Sequence, residues 1–127
     1  MLERGDPVPH FEVTTLDGDR VSYAMLWQHR NLVLVSLDSS NTEEGENYLA
    51  AVAAGMPRLC AHNAACVMTR EQVPGLPRPG VLIADKWGEI VYVRTASDPG
   101  DLPPVEELVE WLEYLQMQCP ECQGEAK

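Results

Sequence analysis

Basic residues are scarce in this chain. Nine Lys and Arg residues stand against 20 Asp and Glu residues among 127, which gives a formal net charge of −11. Proteins that bind nucleic acids carry a basic footprint, and docking on anionic lipid also needs clustered cations. The composition therefore argues against a nucleic-acid partner and against a membrane surface.

Long apolar runs and a leader segment are also missing. The longest apolar run, residues 32–37, includes Ser36, and it is far shorter than the roughly 20 residues that span a bilayer. Residues 1–6 lack the basic stretch and the apolar stretch of a secretory signal. We therefore expect a cytoplasmic protein with reduced thiols.

Cysteine is absent from the first 59 residues, and all four cysteines follow. A chain of 127 residues, 45% of them hydrophobic, has the size of one domain and can form a core without cross-links. The cysteines are therefore not required by size, and their positions are candidates for a function. They are Cys60, Cys66, Cys119 and Cys122.

The order of apolar segments predicts an α/β domain. Residues 32–37 and 64–69 are nearly continuous apolar runs, typical of strands buried on both faces. A helical stripe lies between them, so the two strands should be parallel and joined by a right-handed crossover. Residues 81–84 and 89–94 predict an antiparallel hairpin. The result is a mixed central sheet flanked by helices, preceded by an N-terminal β-extension.

Capping signals predict where the first helix starts. Ser40 with Glu43, and Asn41 with Glu44, form two overlapping capping boxes.

A last helix opens at Pro103 or Pro104 and should end before Cys119. This interpretation divides the chain into a domain over residues 1–118 and a short tail over residues 119–127 with the motif C-P-E-C.

Four segments resemble the entry region of the AhpC/TSA peroxiredoxins. In order, they are GDPVPHF at residues 5–11, LDG at 16–18, VSY at 21–23 and NLVLV at 31–35. The TlpA-like thioredoxins are similar there too. The resemblance extends over roughly residues 5–115 and implies a thioredoxin-like fold and a redox function.

The resemblance also implies a peptide-binding surface. Pro79, six residues before Asp85 and nine before Gly88, is similar to the family's cis-proline and its D-x-x-G hairpin. In the family, the residue before that proline offers backbone groups to an extended peptide, which here would be Arg78.

One feature departs from the family. The family's catalytic cysteine lies at the start of the first helix, where the helix N-terminus stabilises its thiolate. Thr42 and Gly45 stand at the positions of the two cysteines of C-x-x-C. The residues that follow Thr42 are Glu43 and Glu44, and neither is a plausible general base to activate the Thr42 hydroxyl. The usual peroxidase or disulfide-exchange site is therefore predicted to be absent.

The thioredoxin-like topology predicts that the four cysteines gather at the opposite end of the molecule. Cys60 follows the first helix, Cys66 lies early in the next strand, and the last helix returns the chain to the same end. His62 belongs there as well. Thr42 and Pro79 lie at the other end.

Two functions fit this arrangement. In the first, Cys119 and Cys122 are a catalytic dithiol that acts on a protein disulfide, with Cys60 as a resolving thiol. In the second, the chain is a non-catalytic module that binds a protein partner, and its cysteines hold a structural zinc ion or are idle. The zinc ligands would be Cys119, Cys122, Cys60 and His62. No other cofactor is predicted.

Aromatic residues suggest a contact surface. Trp111 and Tyr114 widen the apolar arc of the last helix beyond its core stripe. This predicts a homodimer or partner surface, unless the N-terminal extension covers it.

Overall fold

The fold is that of a computed structural model, which describes residues 2–38 and 42–124, with side chains as far as Met117. Its strands are β1 (Glu12–Thr14), β2 (Arg20–Ser22), β3 (Asn31–Ser36), β4 (Ala64–Thr69), β5 (Gly80–Ala84) and β6 (Ile90–Thr95). Its helices are α1 (Glu43–Ala54), α2 (Met56–Cys60) and α3 (Val105–Gly124), and Tyr23–Met25 and Pro99–Asp101 form 3₁₀ turns.

Four strands form the central sheet in the order β4-β3-β5-β6. β3 is parallel to β4 and antiparallel to β5, which is antiparallel to β6. β1 and β2 form a separate antiparallel hairpin, which joins the sheet through a bridge between Thr15 and Thr69. The predicted mixed sheet with an N-terminal β-extension is confirmed.

Both faces of the sheet are covered, which explains the continuous apolar runs. All six residues of β3 are buried, because alternate side chains enter different clusters. Val33 and Val35 pack under the helices. Leu34 packs with the N-terminal segment, where the rings of Phe11 and Tyr23 stack with centroids 5.5 Å apart.

Helix α1 starts at a different cap from the predicted ones. Thr42 is the N-cap, and its Oγ1 accepts a hydrogen bond from the Gly45 N–H at 3.1 Å. Residues 39–41, which include the predicted caps Ser40 and Asn41, lie outside the described residues. The prediction missed Thr42 because a threonine is also a good N-cap. Its hydroxyl can accept a hydrogen bond from a backbone N–H of the first turn that has no partner within the helix.

Helix α3 is longer than predicted. It continues to Gly124, so Cys119 and Cys122 fall within its bounds rather than after its end. Pro120 lies inside the helix, although a proline there is unfavourable because it lacks the N–H of one helical hydrogen bond. The side chains of both cysteines lie outside the described residues. Among the described residues, no helix combines the length and apolar character needed to cross a bilayer.

Helix α2 is held against α3 by close backbone approach and by polar contacts. A Cβ on Gly55, between α1 and α2, would lie 2.6 Å from Cγ1 of Val105 in the first turn of α3. The Arg58 guanidinium donates to both carboxylate oxygens of Glu106, at 2.6 and 3.1 Å. This contact lowers the pKa of Glu106. The pair is exposed, so close packing at Gly55 matters more for stability.

We predict that Gly55→Ala lowers the free energy of unfolding by about 1–3 kcal/mol, because overpacking forces a backbone shift. A valine in a helix has one strongly preferred rotamer and cannot easily turn away. Urea denaturation measures the change. The control is Gly100→Ala, whose Cβ would meet no atom closer than 3.4 Å. Equal effects of the two substitutions would contradict this account.

Candidate functional site

The residues predicted from the family motif meet at one end of the sheet. In the strand register, Ser36 at the end of β3 lies beside Thr69 and Gly80. Pro79 directly precedes β5, and Thr42 follows β3 at the start of α1. This is the end at which the resemblance implied a catalytic cysteine.

The start of α1 presents carboxylates rather than a thiol. Glu43, Glu44 and Glu46 lie in the first turn of α1, and the chain has no cysteine before Cys60. The guanidinium of Arg70 contacts the Glu46 carboxylate and the carbonyl of Asp38. Arg70 thus balances the charge of Glu46, and the start of α1 supplies no thiol nucleophile among the described residues.

The Arg78–Pro79 peptide bond is cis, as the resemblance implied. Pro79 is buried, and its carbonyl accepts a hydrogen bond from the Ala96 N–H at 3.2 Å. The Arg78 guanidinium donates to the carbonyl of Arg70 at 2.6 Å. The structure thus has a cis proline directly before β5, and no helix lies between Thr69 and Pro79.

Cys60 and His62 lie at the opposite end of the sheet. There Asn31, at the start of β3, pairs with Ala64, at the start of β4. Cys60 ends α2 and His62 lies in the turn that enters β4. We call this the cysteine end, defined by Cys60, His62 and Gln116.

The two described thiols differ in chemistry. Cys60 is exposed, whereas Cys66 is partly buried in β4. Burial, and to a smaller extent the neighbouring Cys60, raises the pKa of the Cys66 thiol to about 12. Both thiols line a groove of about 300 Å³ that follows the edge strand β4. Cys66 stays protonated at neutral pH, so Cys60 is the accessible thiol of this pair.

A hydrogen bond joins the cysteine end to α3. The His62 Nδ1 and the Gln116 Oε1 are 2.6 Å apart. Cys119 follows Gln116 by three residues within the bounds of α3. The contact brings the backbone that carries C-P-E-C to the end where Cys60 lies.

A metal site is not complete among the described side chains. In that part of the chain, no group of three or more His, Cys, Asp or Glu residues is placed to hold a metal ion. Cys60 and His62 are the described members of the predicted ligand set. Its other two members, Cys119 and Cys122, have side chains outside the described part.

The fold is similar to that of solved peroxiredoxins. A reduced 2-Cys peroxiredoxin of Plasmodium vivax has a TM-score of 0.78 and 10% identity, over 98% of this chain and 86% of that one. A yeast mitochondrial 1-Cys peroxiredoxin has a TM-score of 0.73 and 15% identity, over 98% and 80% respectively. For thioredoxin peroxidase I of Plasmodium yoelii the TM-score is 0.66 and the identity 12%, over 91% of both chains.

No protein-family model matches the sequence, and no curated protein does either. At these low identities the structural likeness shows the fold, and function has to be argued from the site. The chain has the thioredoxin-like fold found in peroxiredoxins.

Sequence reasoning missed two of the contacts that shape these ends. The bond between His62 and Gln116 joins residues 54 positions apart, and neither residue belongs to a motif. The bridge from Arg70 to Glu46 and Asp38 likewise joins a loop to a helix. For the contact of His62, the one signal in the sequence was the predicted topology, which placed His62 at the same end as Cys119.

We predict that iodoacetamide alkylates Cys60 at pH 8 and leaves Cys66 unmodified in the folded protein. Burial and the raised pKa of Cys66 deny the reagent a thiolate. Tandem mass spectrometry of the peptide that contains both residues measures each rate. In urea-unfolded protein, the control, the two rates should agree within about twofold because both thiols then have similar pKa values. Similar rates in the folded state would contradict the assignment.

Proposed function

We propose that this protein is a thiol–disulfide redox protein whose working thiols are Cys119, Cys122 and Cys60. The proposal rests chiefly on the hydrogen bond between His62 and Gln116, because it holds α3 at the end where Cys60 is exposed. The C-x-x-C spacing of Cys119 and Cys122 suits a disulfide that forms and breaks. Thioredoxin-like scaffolds carry such chemistry elsewhere, at the start of α1.

The reaction is an exchange of thiols and a disulfide. A thiolate of the dithiol attacks a disulfide of a partner protein, forms a mixed disulfide and releases one partner thiolate. The second thiolate then attacks the sulfur of this chain and closes an intramolecular disulfide, and the other partner thiol leaves. The dithiol loses two electrons and the partner disulfide gains them. Cys60 supplies the resolving thiolate when the mixed disulfide forms at a cysteine of α3.

A second candidate is a non-catalytic binding module with a structural zinc ion. The observation that favours it is the orientation of His62. Its Nδ1 is engaged by Gln116, which leaves Nε2 available, and metal-binding histidines are usually oriented by such a second contact. The ligands would be Cys60, His62, Cys119 and Cys122, a tetrahedral set of the kind that zinc prefers. An extended partner peptide would then bind beside Arg78 and Pro79.

Under the redox proposal, we expect the double variant Cys119→Ser/Cys122→Ser to reduce the rate of insulin disulfide reduction to background, because it lacks both thiols of the dithiol. Cys119→Ser and Cys122→Ser should each lower the rate strongly, because Cys60 alone is then left to resolve the mixed disulfide. Cys66→Ala is the matched control and should retain the activity, because its thiol is protonated and partly buried. Activity that persists in the double variant Cys119→Ser/Cys122→Ser would refute the proposal.

Metal content and accessible thiols separate the two candidates. In protein purified under inert gas without chelator, the redox proposal expects no stoichiometric zinc and a pair of thiols that oxidise and reduce reversibly. About one zinc per chain, with thiols that become accessible only after chelation, would instead support the structural zinc site. In that case His62→Ala should lower the zinc content, while His10→Ala, at the far N-terminal segment, should leave it unchanged.

A further inference from the structure

An aromatic groove of about 630 Å³ lies beside α3, apart from both ends of the sheet described above. Trp111 is packed against Tyr92 of β6, with ring centroids 5.1 Å apart. Tyr114 meets Trp111 edge to face, at 5.7 Å and 85°. Tyr114 remains 37% exposed. The three rings support one another, so the groove has a preformed aromatic wall.

Carboxylates line the same groove. Glu106, Glu107 and Glu110 lie along it on α3, and Arg4 is the one basic residue among the described residues that line it. Glu106 is already paired with Arg58. Glu107 also faces Tyr92, where burial and this carboxylate raise the pKa of the hydroxyl. Together with Glu110 it adds negative potential to an aromatic surface, in a protein whose net charge is −11.

One guanidinium already lies on the aromatic wall. The Arg4 guanidinium is 5.5 Å from the centroid of the Trp111 ring, which is cation–π geometry. The backbone around Arg4 is fixed on both sides, by the Leu2 N–H to the Gly75 carbonyl at 2.9 Å and by the Gly5 N–H to the Ile90 carbonyl at 2.7 Å. The N-terminal segment therefore covers Trp111 only in part, and it shows which chemical group the ring accepts.

We propose that this groove binds an arginine side chain from a basic segment of a partner protein. A guanidinium can stack on an aromatic face while its N–H groups donate to carboxylates, and the groove supplies both partners through Tyr114 and the pair Glu107 and Glu110. A lysine ammonium lacks the planar face. A second copy of this acidic chain fits less well, because its own net charge is negative.

The size of the groove agrees with this occupant. Ligand pockets commonly enclose about 300–1,000 Å³, and the groove is within that range. It can hold a side chain together with part of the neighbouring peptide. The proposal does not depend on the proposed redox function, because neither Cys60 nor Cys66 lines this groove.

Fluorescence anisotropy with a labelled heptapeptide tests the proposal. The probe carries two arginines in a Gly/Ser background, and a matched probe carries citrulline, a neutral analogue of similar shape, at both positions. We expect the arginine probe to bind at least about tenfold more tightly, because only the guanidinium forms charge-assisted bonds. Glu107→Gln/Glu110→Gln should weaken its binding by about tenfold as well.

The control is Glu43→Gln/Glu113→Gln, which changes the net charge equally at exposed positions that do not line the groove. It should weaken binding by less than about twofold if the attraction is local. Circular dichroism melting verifies that each variant is folded. Absence of saturable binding, equal affinity for the citrulline probe, or equal losses in the two double variants would overturn the proposal. Self-association that blocks the probe would overturn it too.

Discussion

Burial of β3 on both faces is the constraint on which the rest of the structure depends. A strand with no exposed side chain requires a layer of helices on one side and a second layer on the other. The helices α1, α2 and α3 supply the first layer, and the N-terminal segment with its stacked Phe11 and Tyr23 supplies the second. The N-terminal extension is therefore a part of the core and not an appendage to it.

The same strand separates the two ends where chemistry could occur. Six residues of extended chain cover about 17 Å from the first Cα to the last. Thr42 and Pro79 lie beyond one end of β3, and Cys60 and His62 lie beyond the other. Thiols at the cysteine end thus cannot reach the start of α1 without unfolding the sheet. Of the two described thiols, Cys60 lies at the cysteine end of this thioredoxin-like fold and Cys66 lies within β4.

The sequence predicted the fold well because its strongest signals are local or follow from chain order. The apolar runs of β3 and β4 and the turn at Asp85 and Gly88 needed no knowledge of distant contacts. The predicted caps of α1, Ser40 and Asn41, are two and one residues before the observed cap Thr42, since several neighbouring side chains could serve as its cap. The length of α3 was underestimated because its apolar stripe ends at Leu115, and the turns after it carry no periodic apolar signal.

The candidate site was harder to predict, since it depends on contacts between distant residues. The topology correctly placed His62 at the end opposite Thr42, but nothing in the sequence indicates its bond to Gln116. Cys60 is exposed at the last residue of α2. The high pKa of Cys66 depends on how completely its surroundings exclude water, which a strand pattern alone does not determine.

The direction of α3 has a consequence for electron flow. Helix carbonyl groups point towards the C-terminal end, and they disfavour negative charge in the last turns, where C-P-E-C lies. Thiolates are therefore less stable there than at the start of a helix, and the reduced form of a dithiol is less favoured relative to the disulfide. A dithiol–disulfide couple placed at this end of a helix therefore tends to have a low reduction potential. In the proposed dithiol, backbone polarity would therefore favour the donation of electrons more than it would for the same pair at the start of α1.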